Sequence, residues 1–406
     1  MKKLLLLIAI IAALAMVAAC APAPTPVPTA APPTAAPKPV KLTIWHQWDL
    51  KYFDNIKTVL ADYQKANPNV TLDISKPDDV TNALKVAIPA GQGPDIIGWA
   101  NDQIGTQALA GNIVALDDLG ITAAFLSSTY EPAAQKGVMW KGKIWALPEV
   151  QEGIALVYNK KLVTDKYVPK DLDDLLAKAK QFQTDTGKFL VCNQGLGGKD
   201  AYHAAPVYFG FGMPSYVDDD GKVYLNTPEG LKAAKWLVEF AKVSPKETGY
   251  DICKAMLIDG KVGAWWTGPW AIPDIEAAKI DYGIATVGKP FVGIKSFMIT
   301  KNAVDRGNQK AALDFIKWYT SADVQKKLAL INKSIPAQTA ALKDPDVQKL
   351  YTLAGFGAAL NVGVPMAATP YSGAQWDPVA DMTQAIWTGA QTPDAALADG
   401  QKAFEA

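Results

Sequence analysis

The stretch Gly91–Gly105, with the sequence GQGPDIIGWANDQIG, decides the expected fold. Its first residues are typical of a turn, because glycine tolerates positive φ and the proline fixes its own φ. Ile96–Ile97 is an apolar run too short for a helix and is typical of a buried parallel strand. Trp99, Asn101 and Asp102 follow it directly. Since ligands of open α/β sheets bind beyond the carboxyl ends of strands, these three residues are candidate ligand contacts, although an ordinary turn with a buried tryptophan also fits.

The residues before this stretch predict a β-α-β unit. Leu42–Trp45 is a short apolar-rich strand, and Val70–Ile74 alternates apolar and polar residues as a second strand. Between them, Tyr52–Ala66 carries apolar residues at three- and four-residue spacings, which indicates an amphipathic helix. With the strand Ile96–Ile97, this order predicts an α/β protein with a parallel sheet.

Further elements are predicted along the rest of the chain. Met139–Pro148 has the pattern of a hairpin, and Glu149–Asn159 reads as one strand long enough to cross between two domains. Thr227 as N-cap and a proline at the first helical position predict the start of a helix. The other predicted helices and strands are Asp171–Phe182, Pro228–Ala241, Phe189–Val191 and Ala264–Trp266.

The overall composition excludes several classes of function. A chain of 406 residues is long enough for two domains. Lys and Arg number 40, as do Asp and Glu, so zero net charge gives no support for binding of nucleic acid or an anionic membrane surface. With two histidines and no CxxC pair, the sequence offers no zinc ligand set, and no metal or cofactor is expected. Neither a phosphate-binding loop nor a nucleophile elbow is present.

The beginning of the chain has the pattern of an export signal. Two lysines precede the apolar run Leu4–Val17, and small residues precede Cys20, as in a bacterial lipobox. We therefore expect a signal peptide at 1–19 and lipid on Cys20. Residues 20–40 are rich in Pro, Ala and Thr, which predicts an extended tether. Such a protein would be exported and anchored by lipid alone to the outer face of the cytoplasmic membrane.

Cys192 and Cys253 are the two remaining cysteines. In an exported protein they are a candidate disulfide, but the sequence does not establish their proximity. Two buried thiols remain the alternative.

The stretch Gly91–Gly105 resembles the Gly-x-Gly-Pro-Asp-Ile-Ile-x-Trp-Ala-x-Asp segment of maltose/maltodextrin-binding proteins, which are extracellular solute-binding proteins of ABC importers. Four further blocks match in the same order. They are Tyr158–Leu162, Gly268–Ala271, Lys289–Gly293 and Gln375–Trp376. The resemblance extends from about Lys41 to the C-terminus. It implies a two-lobed periplasmic-binding-protein fold of type II, maltose-binding-like, with a hinge between the lobes.

The resemblance also implies domain boundaries and partners. One lobe would comprise 41–150 and 288–333, and the other 151–287 and 334–406. The protein would be a monomer that binds an oligosaccharide without catalysis. It would deliver this ligand to the transmembrane permease subunits of an ABC transporter.

The resemblance places ligand contacts at several aromatic and polar residues. Sugars present hydroxyls and an apolar ring face, so a sugar site needs planar polar groups and flat aromatics. The positions that match the family's contacts are Trp99, Asp102, Glu152, Asp200, Tyr202, Trp270 and Trp376, and Asn101 is a candidate because it lies between the first two. Gln47, Trp48 and Asp49 follow the first strand and join the candidates, with Trp48 as an additional stacking surface.

Three departures from the family leave the identity of the ligand open. Gln103 stands where the family has an arginine, and Asp79 and Thr81 stand where the maltose binder has a lysine and a glutamate. An oligosaccharide remains the expected class, with another sugar or a polyamine as alternatives, since acidic and aromatic groups also bind polyamines. A glycosidase that uses Asp102 and Glu152 is the enzymatic alternative.

Overall fold

The computed structural model describes residues 38–48 and 50–406, and most of its strands belong to two mixed sheets. The predicted signal peptide, Cys20, most of the tether and Asp49 lie outside the described residues. Pro39–Ala406 forms one compact unit. The strands are β1 (Val40–His46), β2 (Val70–Ser75), β3 (Ile96–Ala100), β4 (Met139–Trp140), β5 (Lys143–Ile144), β6 (Leu147–Glu152), β7 (Ala155–Asn159), β8 (Phe189–Asn193), β9 (Val262–Thr267), β10 (Tyr282–Ala285), β11 (Phe291–Ile299), β12 (Ile335–Pro336) and β13 (Val364–Pro365).

Helices cover both sheets. They are α1 (Leu50–Ala66), α2 (Val80–Ala87), α3 (Asp102–Leu109), α4 (Ala123–Thr129), α5 (Pro132–Gly137), α6 (Leu172–Thr186), α7 (Gln194–Gly197), α8 (Ala201–Gly210), α9 (Pro228–Phe240), α10 (Tyr250–Ile258), α11 (Ile272–Ala277), α12 (Lys301–Asp305), α13 (Gln309–Tyr319), α14 (Ala322–Asn332), α15 (Thr339–Leu342), α16 (Pro345–Gln348), α17 (Tyr351–Val362), α18 (Pro370–Ala374), α19 (Trp376–Thr388) and α20 (Pro393–Glu405). Short 3₁₀ helices span Leu116–Leu119, Ala241–Val243 and Pro269–Ala271.

The larger sheet has the strand order β12-β6-β11-β3-β1-β2, and β13 pairs with β11 outside this path. β1 runs parallel to β2 and to β3, which confirms the predicted β-α-β opening. The sheet is nevertheless mixed rather than wholly parallel, because β11 lies antiparallel between β3 and β6. All nine residues of β11 are buried, as expected for a central strand covered on both faces.

The smaller sheet has the order β10-β7-β9-β8. The prediction of one strand over Glu149–Asn159 is wrong, because β6 ends at Glu152 in the larger sheet and β7 begins at Ala155 in the smaller one. The chain turns at Gly153, where an added Cβ would lie 2.8 Å from a side-chain atom of Leu360. It returns to the larger sheet between β10 and β11. The lobe ranges stay a prediction. β12 lies in the range expected for the second lobe, but it pairs with β6 of the larger sheet.

Neighbouring residues of β9 show how the smaller sheet is packed. Trp265 and Trp266 are both fully buried, but they contribute to different hydrophobic cores on opposite faces of the sheet. This arrangement follows from the alternation of side chains along a strand. The strand predicted from the apolar run Ala264–Trp266 is confirmed as part of β9, which is buried on both faces.

Local signals set the starts of two predicted helices. Thr227 Oγ1 accepts a hydrogen bond from the backbone N–H of Gly230 at 3.2 Å, and Pro228 occupies the first turn of α9. Asp171 caps α6 in the same way, by accepting from the N–H of Asp174 at 2.8 Å. No helix in the described part of the chain is long and apolar enough to cross a membrane.

The segment 364–375, called here the connecting segment, packs closely against α3. An added Cβ on Gly105 would lie 2.2 Å from the backbone carbon of Thr369 and 2.3 Å from the backbone nitrogen of Pro370. Asn101 Nδ2 donates to the carbonyl oxygen of Met366 at 2.7 Å. The absence of a side chain on Gly105 therefore allows the connecting segment to approach α3 and brings the start of α19 next to Asp102.

Candidate functional site

A cleft of about 470 Å³ lies where elements of the two sheets face each other. Residues at the ends of β3 and β6, in the 3₁₀ helix after β9 and at the starts of α3, α8 and α19 line it, which agrees with the position of ligand sites in open α/β sheets. Its volume falls in the usual range for a small-molecule site. Eight of the residues proposed from the sequence line this cleft. They are Gln47, Trp99, Asp102, Glu152, Asp200, Tyr202, Trp270 and Trp376.

Two other proposed residues do not line it. Trp48 is 2% exposed, its ring stacks with that of Tyr319, and its Nε1 donates to Glu149 Oε2 at 3.4 Å. It therefore belongs to the core of the larger sheet rather than forming an extra stacking surface. Asn101 is fully buried, and its amide bonds to the carbonyl of Met366 and accepts from the N–H of Ile294 at 3.0 Å. Its side chain holds the backbone together instead of facing the cleft.

Three aromatic rings form a continuous surface in the cleft. The ring of Tyr202 lies 6.2 Å from that of Trp270 and 6.4 Å from that of Trp376. Phe291 stacks on Tyr202 at 5.9 Å, and Tyr202 also donates to the carbonyl oxygen of Glu152 at 3.3 Å. The surface is therefore held in place by packing and by a hydrogen bond. The planes of Trp270 and Trp376 are tilted by 54° and 55° to that of Tyr202, so the rings offer separate apolar faces to neighbouring sugar rings.

Asp102 receives two side-chain hydrogen bonds inside the cleft. Its Oδ2 accepts from Gln103 Nε2 at 2.8 Å and from the indole Nε1 of Trp376, also at 2.8 Å. Burial raises the pKa of Asp102 to about 6, while these donors oppose the rise. The bond to Trp376 joins residues that the sequence assigned to different lobes.

Lys295 is a cleft residue that the sequence reasoning missed. Its Nζ lies 3.2 Å from Glu152 Oε1, and both side chains are about nine-tenths buried. The ammonium also lies over the rings of Trp270 and Tyr52, at 5.7 and 5.5 Å from their centroids. A signal was present, because Lys295 is the only charged residue in the apolar run of β11, FVGIKSFMI.

A second carboxylate, Glu149, lies near this ion pair. Burial raises the pKa of Glu149 to about 7; the charge of Lys295 opposes the rise, and that of Glu152 adds to it. Burial likewise raises the pKa of Glu152, and Lys295 again opposes this effect. Glu149 accepts from Tyr319 at 3.1 Å and from Trp48, so it belongs to the core below the cleft.

Asp200 is the centre of a second polar cluster. Its Oδ2 lies 3.0 Å from Gln194 Nε2 and 2.7 Å from His203 Nδ1. Burial alone would raise the pKa of Asp200, but His203 and Gln194 together hold it at about 2. Gln194 and His203 also line the cleft, and neither was proposed from the sequence. The remaining lining residues are Tyr52, Ala100, Gln103, Lys199, Ala201, Tyr250, Gly293, Lys295, Met366, Asp377 and Ala380.

A disulfide lies next to this part of the cleft. It joins Cys192 in β8 to Cys253 in α10, with their Cα atoms 5.4 Å apart. Gln194 directly follows β8, and Tyr250 begins α10, so each half of the bond is close in sequence to a cleft residue. Within residues 38–48 and 50–406, no group of three or more His, Cys, Asp or Glu is arranged to hold a metal ion.

Comparisons with known proteins show which family this chain is similar to. Residues 58–355 match the family described as bacterial extracellular solute-binding protein. The maltotriose-binding protein of Pyrococcus abyssi is 31% identical over 352 residues, which are 83% of this chain and 75% of that protein. The galactooligosaccharide-binding protein of Bacillus subtilis is 25% identical over 382 residues, which are 88% of this chain and 87% of that protein.

A solved structure gives the same fold. The maltose/maltodextrin-binding domain from Bdellovibrio bacteriovorus, bound to maltotriose, superposes with a TM-score of 0.81. The alignment covers 90% of this chain and 98% of that one, at 24% identity. The maltose-binding-like fold expected from the sequence is confirmed.

Proposed function

Because the chain belongs to the family of bacterial extracellular solute-binding proteins, we propose that it binds an oligosaccharide of the maltodextrin type and delivers it to an ABC importer. The family and the two relatives are named for binding, and the chain is a binding protein rather than an enzyme. Its partners are the oligosaccharide and the transmembrane permease subunits. We further propose that it acts as a monomer.

The aromatic surface in the cleft carries this proposal. Trp270, Tyr202 and Trp376 lie side by side at ring spacings of 6.2 and 6.4 Å, so they offer stacking area to more than one sugar ring. Asp102 and Glu152 lie in the same cleft and supply acceptors for hydroxyl groups. Together these groups meet both requirements of a carbohydrate, an apolar ring face and a dense set of hydroxyls.

The charges in the cleft favour a neutral sugar over a polyamine. Lys295 pairs with Glu152 and lies over the ring of Trp270. The carboxylate and the ring could each bind a ligand ammonium, but both already contact the ammonium of Lys295. A polyamine would meet this buried positive charge. The two relatives are named for binding maltotriose and galactooligosaccharides, which are neutral oligosaccharides.

We propose that ligand binding closes two lobes around the cleft. The lobes are those expected from the sequence, 41–150 with 288–333, and 151–287 with 334–406. The two sheets and the chain crossings between β6 and β7 and between β10 and β11 support this division. Asp102 and Trp376, from the two proposed lobes, contact each other directly. A ligand that also contacts both lobes would stabilise the closed arrangement.

The match to a family of extracellular proteins supports export, and we propose lipid anchoring at Cys20 as the means of retention. The signal at 1–19 would be removed, and residues 20–40 would serve as a tether to the outer face of the cytoplasmic membrane. Growth with radiolabelled palmitate should label the protein, and Cys20→Ala should abolish the label. An unaltered protein that takes up no label would contradict the lipid anchor.

A thermal-shift screen tests the ligand class. The purified protein would be heated with maltodextrins, galactooligosaccharides, monosaccharides and polyamines. A ligand at a hundred times its Kd stabilises the native state by about 2.7 kcal/mol, which is visible as a rise in Tm. We expect one oligosaccharide series to raise Tm and Trp270→Ala to abolish the rise. A response to polyamines alone would refute the proposed ligand class.

A further inference from the structure

The carboxylate of Asp200 is already occupied by donors from the protein. Its Oδ1 accepts from the backbone N–H of His203 at 3.2 Å. Its Oδ2 accepts from Gln194 Nε2 at 3.0 Å and lies 2.7 Å from His203 Nδ1, a contact whose angle falls outside hydrogen-bond geometry. Both neighbours contact the same oxygen, so Asp200 is placed to orient them.

This contact fixes which atoms the two neighbours present to their other side. An ionised carboxylate only accepts, so the amide of Gln194 must turn its NH₂ group towards Asp200 and its Oε1 away. The imidazole nitrogen next to the carboxylate must carry a proton at a separation of 2.7 Å. In neutral His203 the other nitrogen, Nε2, then has a lone pair. Gln194 and the uncharged form of His203 therefore each present an acceptor.

Neither acceptor is satisfied by the protein. Gln194 and His203 are 8% and 4% exposed, and both line the cleft. Gln194 Oε1 and His203 Nε2 are buried and have no hydrogen-bond partner among residues 38–48 and 50–406. An unpaired buried acceptor costs free energy, so a site that keeps two of them is suited to a ligand with donors.

Tight packing holds this cluster in position. An added Cβ on Gly195 would lie 2.2 Å from the carbonyl oxygen of Asp200 and 2.8 Å from the Cβ of His203. Asn193 Nδ2 donates to the carbonyl oxygen of His203 at 2.8 Å. The two acceptors are therefore carried by a short turn and a helix start that press against each other, and their positions are set before a ligand arrives.

We propose that Gln194 and His203, the latter in its uncharged form, are specificity-determining residues that accept hydrogen bonds from sugar hydroxyls, and that Asp200 acts mainly by orienting them. This inference rests on the proposed function, since it names how the same cleft distinguishes its ligands. A site with buried acceptors discriminates strongly against an analogue that lacks the matching hydroxyl, because the acceptor is then left unpaired.

The test compares protein variants with altered ligands. Titration calorimetry would measure the affinity for maltotriose and for maltotrioses that each lack one hydroxyl. Gln194→Met and His203→Phe remove an acceptor at similar volume, whereas His203→Gln keeps a donor for Asp200 and an acceptor beyond it. Gln384→Met is the matched control, since Gln384 donates to the carbonyl of Gly197 in the same turn at 3.3 Å without lining the cleft.

We expect the first two variants to weaken maltotriose binding about tenfold each, the size of one neutral hydrogen bond. In each, the affinity loss caused by one particular missing hydroxyl should disappear, while His203→Gln and Gln384→Met should keep it. A purely structural role would lower the affinity for all analogues alike. Thermal unfolding would show that each variant folds.

Two results would overturn the inference, and they differ. If unaltered protein binds maltotriose and every missing-hydroxyl penalty is the same in the variants, the inference fails alone. If unaltered protein binds spermidine and not maltotriose, the proposed function fails and the inference fails with it. Variants that lose a penalty in the expected pattern support both.

Discussion

Replacing Lys295 with methionine should destabilise the protein in a way that depends on pH. Methionine has a similar length and no charge, so the change removes the ammonium from Glu152, which is 8% exposed, and from the nearby Glu149. Breaking a buried ion pair typically costs about 3–5 kcal/mol, because the remaining charge is left unpaired in the interior.

The cost has an upper limit, because Glu152 can escape by taking up a proton. Protonating a carboxyl with the ordinary pKa of 4.5 at pH 7 costs about 3 kcal/mol, from about 1.4 kcal/mol per pH unit. In the variant the folded-state pKa of Glu152 would lie further above this value. The native state then binds more protons than the unfolded state above pH 4.5, so the loss of stability should grow as pH rises and nearly vanish near pH 4.5.

Urea denaturation between pH 4.5 and 7 measures this effect as the difference in unfolding free energy from the unaltered protein. Lys310→Met is the control, since Lys310 pairs with Asp314 at 2.6 Å on the surface with 85% and 57% of the side chains exposed, and such pairs contribute about 0–1 kcal/mol. Adding Glu152→Gln to Lys295→Met should recover most of the loss. A loss equal to that of the control, or one independent of pH, would refute the reasoning.

Three further changes test other parts of the structure, each by urea denaturation. Replacing Cys192 and Cys253 together with alanine should cost about 4 kcal/mol, because the disulfide closes a loop with a sequence separation of 61; equal stability with and without reductant in the unaltered protein would contradict this. In the unaltered protein the unfolding free energy should fall by about 3 kcal/mol between about pH 4 and pH 6, because buried Asp102 keeps its proton up to a pKa of about 6 while the unfolded chain releases it near 3.8. Asp102→Asn should remove this fall, and an unchanged pH profile would refute the reasoning. Gly105→Ala should cost about 1–3 kcal/mol by pushing the connecting segment off α3, whereas Gly357→Ala, also in a helix but with open space around its Cβ, should stabilise by up to about 1 kcal/mol; similar effects of the two would count against this packing.

Local signals made much of the fold predictable. The short apolar run predicts the strand at Ile96–Ile97, and Thr227 with Pro228 marks the start of α9. Such features depend on residues close in sequence, so they can be read without knowing the fold. The break at Gly153 could not be read this way, because it depends on Phe291 and Leu360, which pack against it from distant parts of the chain.

The same distinction explains the candidate site. Trp99, Asp102 and Trp270 follow predicted strands and line the cleft, so their place in the pattern was informative. Trp48 also follows a strand, but its partners Glu149 and Tyr319 are remote in sequence and hold it in the core. A tryptophan after a strand therefore indicates a loop position without indicating which way the ring faces.

Lys295, Gln194 and His203 are the opposite case, because they line the cleft but are not among the residues predicted from the sequence. Each is a polar residue in or next to an apolar run, and the residues around it in the sequence do not indicate which group it contacts. Gln194 and His203 are nine residues apart and acquire a shared partner in Asp200 when the α7 turn folds back. Lys295 needs the antiparallel pairing of β11 with β6 to meet Glu152. Their chemistry exists only in the folded chain.

The state of the polar groups in the cleft bears on where affinity comes from. Asp102 and Glu152 already have protein partners in Trp376 and Lys295, so a sugar hydroxyl that reaches them exchanges one hydrogen bond for another. Such an exchange contributes little net free energy, whereas pairing a buried acceptor that lacked a partner removes an existing cost. Stacking on the aromatic surface should therefore supply most of the affinity. The carboxylates would then act chiefly by coupling binding to closure, and selectivity among sugars would come from the acceptors that are still unpaired.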